Sequence, residues 1–469
     1  MPSPLSKPRH AVVVGGSFAG LCIARALADF VERVTVLDRD RFPDGPHLRT
    51  GIPQARHLHV LVTSGQRALD RLFPGLMAEL YDRGAVPVAA PTDLLSLSPY
   101  GWRERFPATH TLVGASRELL DWTIRQRLAA DRRIRFETAR EVVGLLPGED
   151  GDSVAGVRLR ARDGGPEILP CVADLVVDAS GRGSRSPGWL AELGYGRPEE
   201  TRIDAGLGYA SRRYRLAPGV ADGWKNIMVM PKPPRVSRGG VLYPIENGRW
   251  MVTLGGFGDQ APPTDEAGFL EFTRNLRSPL IYEAIRHAEP DGPIHGFRRT
   301  GNHRRHYESM SRWPEGFLVV GDAACAFNPV YGQGMSVAAQ TAVVVGEHLR
   351  VHRGRLGRAA QAAVAGCSAT AWTIATGTDL RFSAAGTVRP GRRGRLSYWY
   401  LDRASDVADR DPYVLRVLTD VQHLVRPPAA LAHPRVALRV LRGPIRPPLS
   451  NPPLSTPPVT APGRPGAGG

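Results

Sequence analysis

At 469 residues the chain is long enough for more than one domain, and 42% hydrophobic with 23% charged residues is a globular composition. The net charge of +16 comes almost wholly from scattered arginines, with lysine only at Lys7, Lys225 and Lys232; without a clustered, aromatic-interleaved basic stripe, this argues against a nucleic-acid partner. Cys22, Cys171, Cys325 and Cys367 stand too far apart for zinc or a redox dithiol, and neither a secretory signal core nor an apolar run of about 18 residues is present, which points to the cytoplasm.

The first informative stretch is Ala11–Asp38, AVVVGGSFAGLCIARALADFVERVTVLD. An apolar strand meets a glycine-rich turn, a helix is predicted from about Phe18 to Phe30, and a second strand ends on Asp38. This is a βαβ dinucleotide fingerprint in its proper context, with Ser17 in place of the middle glycine. Gly15 permits the turn, Gly20 lets the helix lie close to the strand, and the helix N-terminus offers free N–H groups to a pyrophosphate. Asp38 is placed to accept hydrogen bonds from a ribose. By periodicity Cys22 faces the core.

Arg39–Thr63 is too rich in Pro, Gly and charge for a regular element. Its cluster of Gln54, Arg56, His57 and His59 reads either as a phosphate- or flavin-facing loop or as a plain solvated one; metal ligation is disfavoured. Ser64–Ala85 reads as a helix broken at Pro74, and Leu94–Phe106 as a strand and turn with exposed-leaning aromatics. Ser116 then caps a helix whose stripe is Leu119, Leu120, Ile124 and Leu128. Arg117 falls in its first turn, where a cation opposes the helix dipole and invites an anionic partner.

Short strands run from Ile134 to Ser180, the last ending in DASGRGS, a second strand-to-glycine transition. Thr201–Gly258 reads as antiparallel strands without helical crossovers, followed by helices at Asp265–Leu276 and Ser278–His287 and a strand at Gly292–Thr300. A buried strand, Phe317–Val320, then ends in Gly321-Asp322 before a helix beginning near Gly334. Asp322 is suitably placed for a hydroxylated ligand. Leu356–Val425 is predicted helical, Pro427 onward loses periodicity, and Gly443–Gly469 reads as a disordered Pro/Gly-rich tail. The strip VALRVLR near Val436 suggests weak peripheral membrane contact but is too short to anchor alone.

Together GGSFAGL with Asp38, DASGRGS, and GDAACAFNPVYGQGMSVAA resemble the FAD-dependent monooxygenases of the para-hydroxybenzoate hydroxylase and squalene epoxidase type. The loop GIPQARHLH, GGVLYPIENGRWMVTLGGFGD and NPVYGQGM are most similar to bacterial polyene epoxidases of polyether-ionophore pathways. The resemblance implies an α/β fold: a Rossmann-like, glutathione-reductase-like FAD-binding domain, an antiparallel β-sheet substrate domain and a C-terminal helical segment. The expected division is FAD-binding segments at 1–90, 108–195 and 301–352. Substrate-domain segments fall at 91–107 and 196–300, a helical region at 353–442 and the tail at 443–469.

The resemblance also implies non-covalent FAD, with Gly15, Gly16, Ser17 and Gly20 at the pyrophosphate and Asp38 at the adenosine ribose. It further implies Arg117 at the phosphates or ribityl chain, the Val142 backbone at adenine and Asp322 at the ribityl chain. Gly332, Gln333, Gly334 and Met335 would offer N–H groups near flavin N1 and O2, and Arg39, Arg56 and Pro329 complete the expected contacts. Ser180-Gly181 replaces the family's Asp-Gly, which leaves the route of flavin reduction open, and Cys325 gives no ground for a covalent link.

The expected reaction has NAD(P)H as a transient reductant and O2 forming a flavin C4a-hydroperoxide, which epoxidises or hydroxylates a lipophilic polyketide or terpenoid in secondary metabolism. Epoxidation needs no side-chain base; His57, His59 and Tyr243 are the weak candidates for one. The main rival is an isoprenoid reductase of geranylgeranyl reductase type. A halogenase is disfavoured because no lysine lies between Lys7 and Lys225. Oligomeric state is not legible.

Overall fold

The apolar run that opens the fingerprint becomes His10–Val14, the buried central strand of a five-stranded sheet. The computed structural model describes residues 9–163, 165, 167–382 and 391–454. In sheet order the strands are Phe317–Val319, Leu175–Asp178, His10–Val14, Arg33–Leu37 and Ile134–Glu137, and every neighbouring pair is parallel. Helices cover such a sheet on its faces, which explains why its strands are continuously apolar rather than alternating. Cys22 is fully buried on the helix Phe18–Leu27, as its periodicity implies.

Register is what gathers the motifs. Val14 pairs with Leu37 on one side and Asp178 on the other, and Asp178 pairs with Val319. The residues that follow each strand therefore emerge in a row along one edge: Gly15, Asp38, Ala179-Ser180 and, just beyond Val320, Gly321-Asp322. Ligands of open α/β sheets bind outside this carboxyl edge.

A second, seven-stranded sheet runs in the order Glu289–Phe297, Gly208–Arg215, Arg249–Gly256, Arg238–Pro244, Asn226–Val229, Leu94–Ser98 and Gly101–Trp102. Leu94–Ser98 comes from early in the chain and joins parallel to Asn226–Val229; the other pairs are antiparallel. One face buries Leu242, Val252 and Leu254 under Phe269, Phe272 and Ile281 of the helices Glu266–Arg274 and Leu280–Ile285. Glu200–Ile203 is not part of this sheet; it pairs with Asn302–Arg305.

The C-terminal region departs from expectation. Periodicity resumes after Pro427 in a helix, Pro434–Arg442, with Pro434 in its first turn and Val436 and Val440 buried one turn apart. Those valines pack with Ala404 and Val407 of the helix Arg392–Ala408. Residues 443–454 are ordered along the second sheet rather than disordered. Trp102 donates its N–H to the Leu449 carbonyl (3.1 Å), and Arg105 reaches the Pro453 and Leu454 carbonyls. Trp102 is consequently buried, not exposed-leaning. The remainder of the expected tail, 455–469, lies outside the described residues. No described helix is long and apolar enough to cross a membrane.

Candidate functional site

The site begins where Gly15 turns, at φ +101°. A Cβ at Gly15 would lie 2.7 Å from the Ala179 carbonyl, and one at Gly20 would lie 1.8 Å from the Gly15 carbonyl, so both positions need bare backbone. Ser17 is the N-cap of Phe18–Leu27 but makes no side-chain cap, leaving the helix N–H groups without that partner. Its hydroxyl instead accepts from Arg117 Nη2 at 3.0 Å. Arg117 is buried at the start of the helix Arg117–Ala129, which Ser116 caps by accepting from the Leu119 N–H. The anionic partner expected of Arg117 is in part Asp121, one turn along, at 2.7 Å.

Asp38 has partners within the chain itself. Its carboxylate is buried and already accepts from the Gly16 N–H (2.8 Å), the Asp40 N–H (2.8 Å) and Arg49 (2.6 Å). It braces the turn through these bonds, while Oδ1 carries only the Asp40 N–H. Arg49 also donates to the Gly16 carbonyl at 2.8 Å and was not singled out by sequence, because nothing local marks it.

Asp322 sits over the same helix start: a Cβ on Gly321 would come 2.9 Å from the Ala19 Cβ. Its side chain is 38% exposed, yet protein surrounds it closely enough that burial raises its pKa against the pull of Arg182 and Arg117. Arg182 Nε lies 3.7 Å from it and ties the DASGRGS loop to the Gly301 carbonyl. Beneath that loop the buried Asp178 accepts from Ser180 N–H, Ser184 and Ser186. Gly334–Val351 starts without a side-chain cap on Gln333, and a Cβ on Gly334 would meet only Phe327 at 4.0 Å. A small cleft brings His59, Arg117 and Met335 together with Leu61, Leu80 and Val113.

Other expected contacts point elsewhere. Arg39 is exposed at the rim, and Pro329 is exposed at the start of the turn Pro329–Tyr331. Val142 is buried; two residues earlier, the Arg140 N–H bonds the Asp38 carbonyl, so this strand runs beside Asp38. Arg56 turns away from the glycine-rich loop, to His295 of the second sheet at 3.3 Å. Tyr243 is 2% exposed among Val88, Ala90 and Leu112, with its phenol pKa pushed far up by burial, which removes it as a base.

His57 acts as a strut: Nδ1 is 2.8 Å from Ser211 Oγ, and the ring lies between Tyr209 and Phe297. Burial lowers its pKa to about 4, with His295 and Arg56 adding to the effect, and burial then Arg117 lower that of His59 to about 3. Both imidazoles are neutral at pH 7. Because the unfolded chain holds these protons near pH 6.5 and the folded one does not, stability is full above that pH and falls as pH drops toward 4. For His57 the loss is on the order of 3 kcal/mol. Thermal melts from pH 8 to 4 should show that slope, and His57→Gln should reduce it, leaving the His59 share.

The FAD binding domain family model matches residues 9–374. The chain belongs to that family. Protein Rv3254 of Mycobacterium tuberculosis is 35% identical over 347 residues, 70% of each chain. Kynurenine 3-monooxygenase of Salinispora tropica is 28% identical over 373 residues, 73% of each. The fold is shared with PqsL, a probable FAD-dependent monooxygenase from Pseudomonas aeruginosa: TM-score 0.59 at 18% identity, covering 79% of this chain and 94% of that one. This FAD-binding protein is a flavin-dependent oxidoreductase. Its residues fit the cofactor: two helix starts without side-chain caps, a turn that excludes Cβ atoms and an open Asp322 lie on one strand edge.

Proposed function

We propose that the protein is a FAD-dependent monooxygenase that epoxidises, or hydroxylates, a lipophilic polyketide or terpenoid of secondary metabolism, with NAD(P)H as transient reductant. One observation carries the reading: an aromatic wall adjoins the turn expected to face the flavin. Tyr209 Oη donates to Asn328 Oδ1 at 3.4 Å, and Tyr209 packs with Leu207, Phe257, Phe297 and Phe382. Phe257 and Phe382 stack at 3.9 Å, joining the second sheet to a C-terminal helix end. Such a wall orients an apolar substrate and keeps water from the reacting atoms.

When bound, the reduced flavin supplies the activation of O2. The chain's own part is binding, shielding and orientation. Burial makes His57 and His59 weak bases, with pKa values lowered to about 4 and about 3, and Tyr243 is sealed away, so none of the three suits the base that ring hydroxylation prefers. That favours epoxidation of an alkene. The expectation is that a polyene accelerates NAD(P)H oxidation roughly tenfold or more, with O2 consumed and epoxide formed in step. Saturation of a double bond under anaerobic conditions would instead assign an isoprenoid reductase.

A further inference from the structure

Asp379 is the last residue of the helix Arg358–Asp379, beyond the end of the matched family region. It is fully buried, and among the described residues no ion pair reaches it. Neutral donors hold it instead. Asn302 Nδ2 lies 2.6 Å from Oδ2, Asn328 Nδ2 lies 3.0 Å from both oxygens, and the Tyr331 hydroxyl donates to Oδ1 at 2.6 Å. Asn302 in turn accepts the Asn328 N–H at 2.8 Å, and Asn328 Oδ1 accepts the Val330 N–H at 3.2 Å.

A buried carboxylate without a cation is costly unless its hydrogen bonds are complete. Here all but one of its donors sit in one stretch, Asn328–Tyr331, which leads directly into Gly332 and the helix start at Gly334. The third partner, Asn302, also accepts the Asn328 N–H and so braces that residue. We propose that Asp379 is a positioning residue for FAD: through Asn328 and Tyr331 it clamps the turn ahead of Gly334, so that cofactor affinity depends on a carboxylate at the end of a helix, just beyond the matched region. This rests on the reading that the Gly332–Met335 turn faces the flavin. A carboxylate is required because it only accepts. An asparagine would aim its own N–H groups at those of Asn302 and Asn328.

The test titrates apoprotein with FAD, following quenching of flavin fluorescence, for wild type, Asp379→Asn, Tyr331→Phe and the double variant. Melts without FAD report folding separately. Asp379→Asn should weaken FAD about 10- to 150-fold and Tyr331→Phe about 3- to 10-fold, the range of one lost hydrogen bond to a charged group and to a partly compensated one. The double variant should be no weaker than Asp379→Asn alone, as members of one clamp are not additive. Both single variants within twofold of wild type, or effects that multiply, would overturn the proposal. Should Asp379→Asn fail to fold, Tyr331→Phe decides alone by the same criterion. Wild type that takes up no FAD would overturn the flavin reading as well, whereas wild type that binds while the variants match it overturns this inference only.

Discussion

Gly20→Val should yield a protein that purifies without FAD. The added Cβ would sit 1.8 Å from the Gly15 carbonyl, which is backbone and cannot swing aside. Either the helix Phe18–Leu27 lifts from the His10–Val14 strand, or Gly15 moves into Ala179, which its own missing side chain barely clears. Overpacking of this kind costs about 1–3 kcal/mol or more, and here the strain falls on the N–H groups that would meet the pyrophosphate. Absorbance near the flavin bands gives cofactor content, and far-UV circular dichroism separates lost binding from lost fold. Gly188→Ala is the matched control, since a Cβ there meets nothing within 4 Å in the short helix Ser186–Glu192. A yellow Gly20→Val protein with wild-type FAD affinity would refute the assignment of this turn.

Arg117→Ala should weaken FAD about 10- to 150-fold, the worth of a charge-assisted hydrogen bond. It should also lower the melting midpoint of the apoprotein, because Asp121 then stays buried without its cation. The two effects separate in Arg117→Ala/Asp121→Ala, which should regain thermal stability without regaining affinity. Lysine at this position should rescue partially, as an ammonium cannot address Ser17 and Asp121 with a fixed fork. Calorimetric titration of apoprotein checks the affinities. If FAD affinity returned together with stability in the double variant, Arg117 would be a packing residue and no more.

What was legible in sequence was whatever a strand end or a helix start imposes on its own neighbours. Gly15, Gly20, the Ser116 cap and Gly321-Asp322 announce themselves locally, and strand register then collects them without further information. Partners from distant segments left no such trace. Arg49 reaches Asp38 across a loop with no periodicity, and the partner of His57 is Ser211, 154 residues away, so a loop that read as either cofactor-facing or solvated engages the second sheet at His57. Asp379 resembles any helix-ending aspartate until Asn302, Asn328 and Tyr331 close around it. The helix Pro434–Arg442 escaped notice because only two valines on one face are buried; its environment, not its composition, makes it helical.

The early strand Leu94–Ser98, inserted parallel to Asn226–Val229, has a mechanical consequence. The backbone passes between the parallel sheet's side and the seven-stranded sheet on entering and leaving residues 94–102 and again on entering and leaving 208–297. Four tethers, instead of a single hinge, join the halves, and a clamshell swing would have to bend all of them together. The long stretch after Asp38, whose 3-10 turn Pro53–Arg56 is the sole regular element between residues 38 and 62, adds a further strap, through Arg49 to Asp38 and His57 to Ser211.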